Sequence, residues 1–212
     1  MKVAFCGASG TGKTTLMRLV CKYMDIPTNP VGSRSVSKAM GFKSPYDVDT
    51  ASLKVYQETL DQYGPEEAAR FAMSDWDGRL DDTVRALFQR NLQSAKIEWE
   101  TAHDRFVTDR TTADDLCYTT LHAHHTLDVQ FIDRAINHLN TYDVVFLCPV
   151  SAFIDTGNDP SRLHDLAYHI MFEKMIVGIV ATRKASTYMV NQSDLCSRIA
   201  RVLSCIESSR PL

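Results

Sequence analysis

Short apolar runs alternate along the chain with longer stretches that repeat their apolar positions at helical spacing. Residues 2–6, KVAFC, form an apolar run that stops at Gly7 and predicts a buried strand. In the stretch that follows, Leu16, Leu19, Val20 and Tyr23 predict a helix, closed by Ile26 and Pro27. Residues 83–102, TVRALFQRNLQSAKIEWETA, place Val84, Leu87, Phe88, Leu92, Ala95 and Trp99 on one periodic pattern and predict a long helix. RFVTDR predicts a short strand ending in a charged pair, and DDLCYTTLHAHHTL and DVQFIDRAINHLNT predict helices. YDVVFLCPV, residues 142–150, is the clearest buried strand, and STYMV, residues 186–190, predicts a last strand before a helix through SDLCSRIARVLSCI. Strands alternating with helices imply an α/β fold: a mostly parallel sheet covered by helices on both faces, a three-layer α/β/α sandwich. Ligands of such sheets bind beyond the carboxyl ends of the strands.

Two stretches interrupt the pattern. Residues 26–46 contain Arg34, Lys38 and Lys43 and no acid, and VGSRSVSKAMGFKSP within them is rich in turn residues. Residues 47–82 are strongly acidic and predict a peripheral helical segment, with Gly64-Pro65-Glu66-Glu67 as a helix start. The 212 residues suit a single domain over 1–212 with a substantial core. With 44% hydrophobic and 23% charged residues, the composition is that of an ordinary soluble globular protein. A net charge of −3 gives no bulk attraction to nucleic acid or to an anionic membrane. No apolar run approaches the roughly 20 residues of a membrane span, so a cytoplasmic location is expected, the host cytoplasm if the chain is phage-encoded. The six cysteines are scattered without a C-x-x-C pair, which predicts reduced, mostly buried thiols.

The first chemical signal is CGASGTGKTT, residues 6–15. Gly7, Gly12, Lys13 and Thr14 satisfy G-x-x-x-x-G-K-[ST], and Gly10 adds backbone freedom between them. The motif lies between a predicted strand and a predicted helix, the context that confirms a phosphate-binding loop. Backbone N–H groups from Gly7, Ala8, Ser9, Gly10, Thr11, Gly12, Lys13, Thr14 and Thr15 are the expected cradle for the phosphates of ATP. Lys13 is expected to reach the β- and γ-phosphates, and Thr14 to ligate Mg²⁺.

The second signal is FVTDRTTADDLCYT. Asp109 follows an apolar strand end, where a carboxylate holds Mg²⁺ opposite Thr14 or orients an acceptor hydroxyl. Arg110 beside it offers a planar fork to an anionic group. This arrangement, Asp-Arg followed by polar residues and then Ala113 and Tyr118, resembles the Asp-Arg motif of thymidylate kinases and related nucleoside and nucleotide kinases. Together with the phosphate loop and the FQRNLQSAKIEWE helix, it also resembles the small P-loop kinases of ribosylnicotinamide-kinase-like AAA type that are common in phage genomes. The resemblance covers residues 1 to about 120. Thr111 stands where thymidylate kinases usually carry an aromatic residue.

The resemblance implies a kinase that transfers the γ-phosphate of ATP to a nucleoside, a nucleotide or a modified pyrimidine. It also implies a mobile lid that closes an arginine over the transferring group. SAFIDTGNDPSRLHD, residues 151–165, is the candidate lid (taken as 151–166), with Arg162 as its arm; Arg183 and Lys184 are a second pair for that duty or for the adenine side. The acceptor side is expected as a helical segment over about residues 30–82, where Arg34, and Lys38 one helical turn further on, would pair a substrate phosphate. Gln89 would face a base edge from the long helix, with Arg90 and Lys96 as further options. A phage-type kinase acting on 5-hydroxymethyluracil within DNA is the alternative reading, and a non-kinase ATPase or nucleotide-binding module a third. A second copy of the chain is a candidate partner, and a membrane is not. His122, His124 and His125 lack a third ligand at metal-site spacing, and Asp75, Asp77, Asp81 and Asp82 lack calcium-loop spacing.

Overall fold

Along β1 (Lys2–Cys6), Val3 and Phe5 join one buried cluster and Ala4 and Cys6 the other, so the first strand is covered on both faces. The computed structural model of the chain describes residues 1–45, 47–48, 51, 58, 61–62, 64, 84–122, 127–150 and 166–209. Around β1 lie β2 (Phe106–Asp109), β3 (Val144–Leu147) and β4 (Thr187–Met189), in the order β2-β1-β3-β4 with every pairing parallel. Thr28 adds a parallel bridge to Val107 on the outer edge of β2, where Asn29 N–H donates to the Val107 carbonyl at 3.0 Å.

One face of the sheet is covered by α1 (Lys13–Met24) and α7 (Leu195–Ser208), through Leu16, Met17, Val20, Val202, Cys205 and Ile206. The other is covered by α4 (Thr112–His122), α5 (Val129–Leu139) and α6 (Leu166–Val180), through Cys117, Leu139, Phe172 and Ile176. This is the expected three-layer sandwich. Because the sheet is parallel, the loop after β1 and the turn after β2 emerge at the same edge.

One helix lies within the segment of about residues 30–82 that the sequence suggested as helical, and one was not expected. The turn-rich stretch after Val31 contains α2 (Ser33–Ala39), started by Gly32, whose N–H donates to Ser35 Oγ at 2.9 Å. Val36 holds it by packing with Phe88 and Leu92 of α3 (Arg85–Thr101), so tertiary contact outweighs the local turn preference. The second, α6, was not expected at all. Its sequence LAYHIMFEKMIVGIV is apolar on every side, so no amphipathic stripe marks it. It buries His169, Phe172, Ile176 and Val180 and leaves Leu166, Ile170 and Met171 exposed.

The candidate lid with Arg162, the Gly64–Glu67 helix start beyond Gly64, the Asp75–Asp82 group, and His124 and His125 lie outside the described residues. No helix among the described residues is long and apolar enough to cross a membrane.

Candidate active site

β1 ends against its neighbour β3, and this fixes where the phosphate loop begins. Cys148 N–H donates to the Cys6 carbonyl at 2.9 Å. Gly7 then turns with φ 131°, and a Cβ there would stand 2.5 Å from the Cys148 carbonyl oxygen. Gly12, with φ 77°, starts α1. Within the loop, Thr11 Oγ1 donates to the Ala8 carbonyl at 2.9 Å and the buried Lys13 ammonium donates to the same oxygen at 2.5 Å. Residues 7–15 are thus one curled segment ending at a helix N-terminus, suited to phosphate.

Asp109 ends β2 beside β1. Thr14 Oγ1 donates to its Oδ2, while its Oδ1 is buried without a hydrogen-bond partner among the described residues. A hydroxyl and a carboxylate with an unsatisfied oxygen form a hard-donor pair that fits Mg²⁺. Arg110 follows in the left-handed region, φ 79°, a conformation that costs a side-chain-bearing residue about 1 to 2 kcal/mol. Its N–H is tied to the Phe5 carbonyl at 2.8 Å. Its guanidinium donates from Nη2 to Ser9 Oγ at 3.1 Å and lies 4.7 Å from the centre of the Tyr118 ring. The Tyr118 and Ser9 hydroxyls are 3.2 Å apart. The structure therefore brings together Ser9, Lys13, Thr14, Asp109 and Arg110 as the sequence implied.

The acceptor-side candidates divide. Gln89 is buried on α3, and its Oε1 has no hydrogen-bond partner among the described residues. It begins a buried polar stripe: Gln93, Lys96 and Glu100 follow at helical spacing. Lys96 Nζ lies 3.2 Å from Asp115 Oδ2 and donates to the Arg110 carbonyl at 3.4 Å. Burial pushes the Asp115 carboxyl above the usual range, and the Lys96 charge works against that rise. Arg34 and Lys38 share the exposed side of α2. Arg183 sits at the opposite edge of the sheet, donating to the carbonyls of Tyr142 at 2.6 Å and Ser186 at 3.0 Å, where β3 and β4 begin. That placement removes it as a lid arm or an adenine contact.

Sequence reading missed Arg198 and Asp114. Arg198, on α7, donates to the Thr11 carbonyl at 2.8 Å. It shares the buried stripe of Val202, Cys205 and Ile206, and an arginine on an apolar stripe was the available signal. Asp114 is buried in the first turn of α4 and accepts the Gly7 N–H at 3.1 Å. The thiols nearby are kept neutral. Burial, assisted by the Asp114 charge, pushes Cys6 well up, and burial raises Cys148 to about 11 against the pull of Lys13 and Arg198.

A family model described as AAA domain matches residues 2–198. The chain belongs to this AAA domain family. Its architecture is a P-loop nucleoside- and nucleotide-kinase-like fold. A deoxyadenosine kinase from M. mycoides with the products dCMP and a flexible dCDP bound is similar to this AAA domain with a TM-score of 0.59, at 13% identity over 99% of this chain and 100% of that one. The same kinase with dATP bound gives a TM-score of 0.56 at 14% identity, over 98% of this chain and 100% of that one. A thymidylate kinase from Ehrlichia chaffeensis gives 0.52 at 13% identity, over 97% and 98% of the two chains. At these identities the likeness is one of fold. No curated protein matches the sequence.

Proposed function

We propose that this AAA domain is a phosphotransferase that moves the γ-phosphoryl group of ATP to a nucleoside or nucleotide. The observation that carries the reading is the hydrogen bond from Thr14 to Asp109, which sets a strand-end carboxylate at the mouth of the phosphate loop beside Lys13 and Arg110. The kinases of similar fold, described as acting on deoxyadenosine and thymidylate, support the acceptor class.

Loop amides and Lys13 hold the phosphates of ATP. Thr14 and Asp109 would hold Mg²⁺, which when bound neutralises charge on the phosphate oxygens. Arg110, already charged and braced by Ser9 and Tyr118, presents a fork to the transferring group or to an acceptor phosphate. The acceptor oxygen attacks the γ-phosphorus, the bond to the β–γ bridging oxygen breaks and ADP leaves; a nucleoside hydroxyl gives up its proton to a carboxylate or to solvent, whereas a nucleotide attacks through an ionised phosphate oxygen. We assign the lid role to residues 151–166 and its charge-stabilising arm to Arg162 from the sequence alone. β3 runs into Cys148 and Pro149 without the acidic pair of a standard hydrolysing ATPase, which favours transfer over hydrolysis.

The test is incubation with γ-labelled ATP·Mg²⁺ and separate panels of nucleosides, nucleoside monophosphates and DNA carrying hydroxymethylated pyrimidines. Label is expected on a free nucleoside or nucleotide, lost in Lys13→Ala and Asp109→Asn. Acceptor-independent hydrolysis with no labelled product overturns the reading. Label on DNA alone reassigns the acceptor to a modified base within a polymer.

A further inference from the structure

Asp114 has no counterpart in the loop motif or in the Asp-Arg pair, yet it lies between them. Its side chain is fully buried. Oδ1 accepts the N–H of Gly7, the first residue of the phosphate loop, at 3.1 Å. Oδ2 accepts the N–H of Thr111 at 2.7 Å and the Thr111 hydroxyl at 2.9 Å. Arg110 Nη1 stands 3.9 Å from Oδ1. One carboxylate therefore joins the start of the loop to the turn that follows Asp109. That turn needs holding, because Arg110 is in the left-handed region without being glycine.

We infer that Asp114 is a positioning residue that fixes the Asp109–Arg110 turn against the phosphate loop and so keeps Asp109 in register with Thr14. The inference rests on the reading of Thr14 and Asp109 as oxygen ligands for nucleotide-bound Mg²⁺. The Gly7 N–H is turned to Asp114 and away from phosphate duty, so Asp114 acts on the metal side of the site and little on phosphate contacts. An amide in its place has one acceptor oxygen and one donor group. In Asp114→Asn, either Gly7 or Thr111 then loses its acceptor and faces another donor.

The test reads nucleotide affinity with a fluorescent ATP analogue, with and without Mg²⁺, for the wild type, Asp109→Ala, Asp114→Asn and the double variant. In the wild type, Mg²⁺ strengthens binding. Asp109→Ala and Asp114→Asn each reduce that enhancement about tenfold, the scale of a buried N–H left unpaired, while Mg²⁺-free affinity changes by less than about threefold. The double variant is no worse than Asp109→Ala, because both act on one contact. Full Mg²⁺ enhancement in Asp114→Asn, losses that multiply in the double variant, or a wild type indifferent to Mg²⁺ overturns the inference. If Asp114→Asn does not fold, Thr111→Val removes the hydroxyl's bond to Asp114, along with its acceptance of the Ala113 and Asp114 N–H groups at 3.2 and 3.4 Å, and leaves the carboxylate with the Thr111 and Gly7 N–H groups. It should cut the enhancement about threefold, and no change there overturns the inference too. A protein that behaves as expected here but labels no acceptor sinks the phosphotransferase reading and leaves Asp114 in its role.

Discussion

Arg198 and Thr11 join the two ends of the chain: the guanidinium on the last helix donates to a carbonyl in the phosphate loop at 2.8 Å, across 187 residues. The contact is buried, with Arg198 only 2% exposed. It fixes the direction of one loop carbonyl and hence of the adjoining N–H groups, which alternate with the carbonyls along the curl. A hydrogen bond from a buried charged donor contributes about 1.5–3 kcal/mol. Arg198→Met keeps the apolar stem and removes the donor. We expect it to weaken ATP binding about tenfold and to lower unfolding free energy by about 2 kcal/mol. Titration calorimetry with ATP·Mg²⁺ checks the first part, and unchanged affinity in a destabilised variant would show that the contact is structural only.

The Lys96–Asp115 pair gives a second expectation. Both side chains are almost fully buried, so breaking the pair leaves a charge in a low-dielectric site, at a cost of about 3–5 kcal/mol. Burial already raises the Asp115 carboxyl, and Lys96 opposes the rise. Removing Lys96 raises it further. A carboxyl raised in the folded state binds more protons there than in the unfolded chain, so its folded form gains stability as pH falls and loses it as pH rises through the folded value. The penalty of Lys96→Met should therefore shrink between pH 7 and pH 5. Urea denaturation at the two pH values measures it, and an equal penalty at both would mean that Asp115 does not take up the proton.

Sequence pattern exposed what lies close together in the chain and little of what does not. The loop, β1, β2, β3 and the Asp109–Arg110 pair were legible because each is a local run with its chemistry attached. In contrast, α6 was hidden by being apolar all round, and the bounds of α2, within the segment expected to be helical, were hidden by residues whose turn preference yields to Val36 packing on Phe88 and Leu92. The apolar positions predicted for the long helix also split: Phe88 and Leu92 are buried, whereas Leu87 is exposed. Its fully buried face is instead the polar stripe of Gln93, Lys96 and Glu100. Those side chains are accepted inside because their partners, Phe131, Asp115 and His138, come from helices farther along the chain. No local pattern announces such pairings.

Glu100 ends that stripe and supplies a prediction about acid. Its carboxylate accepts from Asn29 at 2.8 Å and from His138 and Tyr142 at 2.7 Å each. Burial alone would raise its titration. The His138 hydrogen bond, the Lys96 charge and the Tyr142 and Asn29 bonds outweigh that and hold it below the ordinary value of 4.5. A depressed carboxyl contributes stability above the unfolded value, lost as pH falls through the folded one. Glu100→Gln, with a single acceptor oxygen, should cost about 2 kcal/mol near pH 6.5. The difference from wild type should narrow below pH 4.5. Parallel denaturant titrations from pH 6.5 down to pH 3 follow the gap, and one that stays constant through acid would remove Glu100 from the acid response.

Gly7 is where the fold and the proposed chemistry meet most tightly, and a single methyl group tests both. At φ 131° an L side chain is strained whatever the space around it. Here there is no space either: the added Cβ would lie 2.5 Å from the Cys148 carbonyl oxygen, a backbone atom at the end of β3 that cannot swing aside. Relief requires β1 and β3 to separate at the Cys148–Cys6 hydrogen bond, or Gly7 to rotate its N–H off Asp114. Strain and overpacking together make Gly7→Ala destabilising by about 3 kcal/mol. ATP binding should fall with it, since every later residue of the loop takes its direction from this turn. Gly178 is the control, because it lies in α6 and nothing stands within 4 Å of a Cβ there. Gly178→Ala should stabilise by up to about 1 kcal/mol through helix propensity alone. Thermal unfolding of the two variants gives opposite signs if the Gly7 contact is as close as the structure places it, and a Gly7→Ala protein with wild-type melting and ATP affinity would show that the loop begins elsewhere.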